Sequence, residues 1–122
     1  MRLIAVLGVL FVLASCSDSD MPDNFSVSCY RVGGFAEGSY TQSIDYDFDL
    51  DNRIVTRKVY LKNGKSDFPE RYDITEIKAT HIHFGKGIQE YTLNRTDLRL
   101  VYYEFDYGRT VEIEYRCKLP QV

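Results

Sequence analysis

The stretch "IDYDFDLDN", residues 44–52, carries an acidic side chain at every second position from Asp45 to Asp51. Two structures would use such a pattern: a calcium-binding loop, or a strand with one acidic and one apolar face. An EF-hand loop requires acidic ligands at its first, third and fifth positions, glycine at the sixth and glutamate at the twelfth. A loop starting at Asp45 puts Leu50 and Thr56 at the last two of these positions, and one starting at Asp47 puts Asn52 and Lys58 there. Both registers fail. The strand reading accounts for every residue, because period-two geometry places Ile44, Tyr46, Phe48 and Leu50 on one face and Asp45, Asp47 and Asp49 on the other.

A turn at Asp51-Asn52 then folds the following segment back onto this strand. It sets Asp45 opposite Lys58, Asp47 opposite Thr56 and Phe48 opposite Val55. Pairs of this kind contribute about 0.2–1 kcal/mol each and fix the register. The same register sets Arg57 opposite Tyr46 on the apolar face, which points to a bulge or a longer turn.

The alternation extends along the chain. "FSVSC" sets Phe25, Val27 and Cys29 against serines, and "TVEIEYRCKL" sets Val111, Ile113, Tyr115, Cys117 and Leu119 against polar residues. Further strands are expected over Gln42–Leu50, Arg53–Lys62, Ile74–Phe84 with a break, Ile88–Asn94 and Leu98–Phe105. Their separators, "DN", "NGK", "GKG", "NRTD" and "DYG", are turn sequences. Gly33-Gly34 and Gly38 bracket an early loop, and "RYDITEIKA" has room for one helical turn. The predicted fold is all-β, an antiparallel meander of about seven or eight short strands closing as a small barrel or a sandwich. Cys29 and Cys117 fall on the apolar faces of the first and last strands, so a disulfide between them is expected to close nearly the whole domain.

Ahead of the strands, "MRLIAVLGVLFVLAS" has one positive charge, Arg2, an apolar run from Leu3 to Ala14, and then small residues. This is the layout of a secretory signal peptide, expected over residues 1–15. The run is short for a membrane span, which takes about 20 apolar residues. "LASC", residues 13–16, resembles the lipobox of bacterial lipoproteins, a branched apolar residue and two small ones before the cysteine that is acylated. The resemblance covers residues 1–16 and implies that Cys16 becomes a lipidated N-terminus anchored in a membrane of the cell envelope. In lipoproteins of the enteric type an aspartate directly after that cysteine favours the inner membrane. Ser17 occupies the position here, so the resemblance implies the outer membrane, facing the periplasm. Lipidation of Cys16 leaves Cys29 and Cys117 as an even pair in an oxidising compartment. Residues 16–24 read as the lipidated cysteine and a flexible tether, and residues 25–122 as one β-domain.

Removing Arg2 with the leader leaves 14 basic against 18 acidic side chains, a net charge of −4. That balance argues against nucleic acid or an anionic lipid surface as the main ligand, and no cofactor motif is present. His81 and His83 share one strand face, but they are the only histidines, and a zinc site would need Glu90 or another carboxylate as third ligand. No nucleophile-elbow pattern occurs. Among the 18 acidic residues nothing singles out a catalytic pair, so the chain reads as non-catalytic. "NFS" at Asn24 and "NRT" at Asn94 match a glycosylation acceptor pattern, an accidental match in a bacterial lipoprotein.

Ten tyrosines and no tryptophan remain to be explained. Five of them, Tyr91, Tyr102, Tyr103, Tyr107 and Tyr115, crowd the last third of the chain. Tyr102 and Tyr103 are adjacent, so a strand must turn one of them outward. Exposed tyrosine marks interfaces, and Tyr102, Tyr103 and Tyr107 are the candidate contact residues. The expected function is that of a protein-binding module whose partner is an envelope or periplasmic protein. It would act as an inhibitor, immunity or phage-exclusion blocker, with an assembly accessory of an outer-membrane complex as the alternative.

Overall fold

The computed structural model describes residues 23–35 and 38–120. Eight strands follow in chain order: β1 Asn24–Arg31, β2 Thr41–Asp49, β3 Ile54–Leu61, β4 Glu70–Ile77, β5 His81–Lys86, β6 Gln89–Asn94, β7 Arg99–Asp106 and β8 Arg109–Lys118. Each pairs antiparallel with the next, and β8 pairs with β1 to close a barrel. Of the two architectures expected from the alternation, the chain adopts the barrel. Closure gives every strand a partner on both sides, with the shortest ladders at β1–β8, Ser28–Arg31, and β3–β4, Ile54–Arg57.

The acidic stretch is β2. Ile44, Tyr46 and Phe48 are buried, and the aspartates between them face outward. The expected register holds, with Asp45 opposite Lys58, Tyr46 opposite Arg57, Asp47 opposite Thr56 and Phe48 opposite Val55. The turn is longer than two residues. Pairing stops at Asp49 and Ile54, leaving Leu50–Arg53 as the connection. Asp49 stabilises it by accepting hydrogen bonds from the Asn52 backbone N–H at 3.1 Å and from Asn52 Nδ2 at 2.8 Å. No bulge removes Arg57 from the inner face. The irregularity of this pair lies near its other end, between Thr41 and Ser43.

"RYDITEIKA" forms no helical turn, because Tyr72 and Ile74 alternate into the core as part of β4. The expected break after it is Lys78–Thr80, which separates β4 from β5. At the seam, Cys29 lies directly opposite Cys117 and the two form a disulfide.

Inside, among the described residues, seven of the fifteen buried core residues are aromatic. Phe25 stacks on Phe48, and Phe84 on Tyr91, each pair with centroids 4.7 Å apart. Tyr46 and Tyr72 meet Phe84 edge to face. Burying each of these rings contributes about 1.5–3 kcal/mol, with further gain from ring geometry.

Candidate functional site

Antiparallel order sorts the loops into two groups. The β1–β2, β3–β4, β5–β6 and β7–β8 connections lie at one end of the barrel. The β2–β3, β4–β5 and β6–β7 connections lie at the other, together with the start of β1 and the end of β8. The two ends differ chemically. At the first, every connection carries an exposed apolar side chain: Val32 and Tyr40, Phe68, Ile88, and Tyr107 beside Phe105. Phe68 and Tyr107 are 93% and 96% exposed. At the second, among the described residues, only Leu119 is a large exposed apolar side chain, and the turns carry Asp51, Asn52, Arg53, Lys78, Arg95 and Asp97.

Local sequence holds these tips out. Tyr107-Gly108 is a two-residue turn closed by the Asp106–Arg109 pair, with both central residues at positive φ (48° and 79°). This is the type I′ arrangement that suits a twisted hairpin, and it projects the Tyr107 ring beyond the last strand pair. Phe68 precedes Pro69, which keeps it extended and out of the strand ladder. Gly87-Ile88 forms the two-residue connection between Lys86 and Gln89.

The tyrosines named from the sequence divide. Tyr103 points outward and is 38% exposed, and Tyr107 stands on the rim. Tyr102 turns inward, where its ring lies 4.9 Å from Tyr91 and its hydroxyl donates to Glu104. The sequence missed Tyr40, Phe68 and Ile88, because each is an isolated apolar residue in a polar loop. Only the topology brings them to one end.

Beneath the rim the barrel interior is polar on its upper side. Arg57 faces inward, 25% exposed, with Nη1 3.6 Å from Glu70 Oε1. The Tyr72 hydroxyl donates to the same Glu70 oxygen at 3.0 Å. Burial acts against the guanidinium charge, but the field of Tyr46, Tyr91 and Tyr72 and a hydrogen bond with Tyr46 outweigh it, so the arginine pKa is held above its ordinary value. Burial also raises the pKa of Tyr46, Tyr72, Tyr102 and Tyr115, which stay neutral at physiological pH. Arg57 Nε is buried without a hydrogen-bond partner.

On the outer wall, the His81 and His83 rings stack with centroids 6.2 Å apart. His83 Nδ1 is bonded to Thr92 Oγ1 at 2.9 Å, and its Nε2 lies 3.7 Å from Glu76. Glu90, the carboxylate considered as a third metal ligand, lies opposite Gly85 and Tyr103 in the ladder and lines the same groove as His83. Among the described residues no group of three or more His, Cys, Asp or Glu is placed to hold a metal ion. Cys16 and the signal segment lie outside the described residues. No family model, characterised protein or solved structure matches the chain.

Proposed function

We propose that this is a lipid-anchored protein of the bacterial envelope, acylated at Cys16, whose barrel presents its apolar loop rim to a partner protein. The observation that carries the reading is the collection of Val32, Tyr40, Phe68, Ile88 and Tyr107 at one end, against a polar opposite end. Clustered aromatic side chains are what protein interfaces concentrate, whereas isolated apolar residues on a surface need no explanation.

The chain enters β1 at Asp23, on the end opposite the rim. A tether running from Cys16 to that end would point the rim away from the membrane. A rigid, disulfide-closed domain loses little conformational entropy on binding, which suits a stoichiometric blocker of an envelope enzyme, toxin or receptor. No catalytic step is assigned to it.

The test is affinity capture from envelope extract with the full-length lipidated protein, a Cys16→Ser form, and a rim variant carrying Tyr40→Ser, Phe68→Ser and Tyr107→Ser. The reading expects one stoichiometric partner that the rim variant loses and that an outer-wall variant, Asp47→Ala with Thr56→Ala, retains. A partner held equally by the rim variant would overturn the rim as the contact surface. Recovery of a large membrane assembly would replace blocking by an accessory role.

A further inference from the structure

The inward-facing Arg57 is not explained by packing. Position 57 sits between Val55 and Val59 on the inner face of β3, where an aliphatic residue would extend the core. Inside, it meets the Tyr46 hydroxyl, while its Nε is buried without a partner. Glu70, the first residue of β4, is half exposed and reaches only Nη1, at 3.6 Å, beyond the length of a good charged hydrogen bond. A guanidinium has five N–H donors in a planar fork that matches a carboxylate with two parallel bonds. Arg57 therefore holds unused donor capacity beside an aromatic core, and its side chain is one-quarter exposed.

We propose that the barrel mouth is a carboxylate-binding site, in which Arg57 takes the acid group of a ligand with an apolar body and Glu70 is the internal carboxylate that this ligand displaces. The charged and titratable groups around it fit this exchange. Tyr46 and Tyr72 face the guanidinium as neutral hydroxyls. Arg31, at the end of β1, adds a second positive charge beside Tyr115. Glu104 is occupied by Tyr102. Val59, Tyr102 and Ile113, half-buried against the core, supply apolar wall for the ligand body. Tyr72 donates to Glu70 in the closed arrangement, and that donor passes to the incoming acid when Glu70 swings out. The acid could be a free organic acid or the C-terminal carboxylate of a peptide; the chemistry at Arg57 is the same. The proposal stands independently of the rim reading.

The test is an NMR titration of the ¹⁵N-labelled protein, following the Arg57 Nε–Hε signal, which is assigned by its loss in Arg57→Lys. The probes are benzoate against benzamide, and the tripeptide acid Ac-Ala-Ala-Phe against its C-terminal amide. A saturable shift is expected from the acids, with a dissociation constant of about 1 mM for so small a ligand, and none from the neutral amides. Glu70→Gln removes the competing charge and should tighten binding by about tenfold, while Arg57→Lys keeps a charge but loses the fork and should weaken it by a similar factor. Stronger binding of benzoate assigns the site to free acids, and stronger binding of the peptide acid assigns it to a chain terminus. Equal shifts from acids and amides, or no saturable shift from either acid with the protein folded, would overturn the proposal.

Discussion

The barrel has one seam where chain ends meet, and the disulfide spans it. Cys29 and Cys117 are 88 residues apart in sequence, so reducing the bond releases almost the entire domain as one open chain in the unfolded state. In the chain-entropy account a loop of that length is worth about 4.5 kcal/mol at 25 °C. Total stabilities of such domains are about 5–15 kcal/mol, so the bond carries a third or more of the whole. For a domain of this size the loss corresponds to a fall in Tm of about 20 °C. The assay is urea unfolding followed by tyrosine fluorescence, since no tryptophan is present. The oxidised protein is compared with the same protein under reductant and with Cys29→Ala/Cys117→Ala. The reduced wild type keeps both sulfur atoms in the core, so it isolates the crosslink from packing. Its dependence on denaturant should steepen, because the uncrosslinked unfolded chain exposes more surface. Oxidised and reduced protein within about 1 kcal/mol of each other would refute the reasoning, and would mean that β1–β8 pairing holds without the bond.

Other outcomes follow from particular contacts. Gly85→Ala places a Cβ 2.3 Å from the Gln89 carbonyl oxygen, so backbone of the β5–β6 hairpin must shift; a loss of about 1–3 kcal/mol is expected from the same urea curves. Tyr46, Tyr72, Tyr102 and Tyr115 have pKa values raised in the folded state, first by burial. Their contribution is therefore fully present below the unfolded tyrosine pKa of about 10 and lost as pH rises beyond it; tyrosinate absorbance should show these four ionising later than exposed tyrosines. Asp49 has its pKa lowered, first by the Asn52 side-chain hydrogen bond and then by the Asn52 backbone. Its contribution is present above the unfolded aspartate pKa and lost as pH falls through the folded value, and carboxyl ¹³C titration of Asn52→Ala should show the Asp49 pKa moving back up.

Much of this architecture is written in period-two alternation, which is a local property. Ile44, Tyr46 and Phe48 against Asp45, Asp47 and Asp49 settle strand, inner face and register together, because a one-residue slip would bury the aspartates. The cysteines on the apolar faces of "FSVSC" and "TVEIEYRCKL" gave the bridge for the same reason. The helical turn allowed in "RYDITEIKA" failed because Tyr72 and Ile74, two apart, had core to reach on a single face.

Local sequence was enough for the all-β class, most of the strands, the register of the β2–β3 hairpin and the Cys29–Cys117 disulfide. Closure as a barrel came only with the tertiary structure, since a Cys29–Cys117 bridge can join the first and last strands either across a sandwich or side by side in one closed sheet. Closure then did two things that no window of residues shows. It gathered Tyr40, Phe68, Ile88 and Tyr107, separated by long stretches of chain, onto one rim. It also enclosed Arg57, whose place opposite Tyr46 read as a reason for a bulge, among tyrosine hydroxyls at the mouth. Alternation acts between neighbours in sequence, whereas the rim and the mouth are made by which strand ends share a side of the barrel.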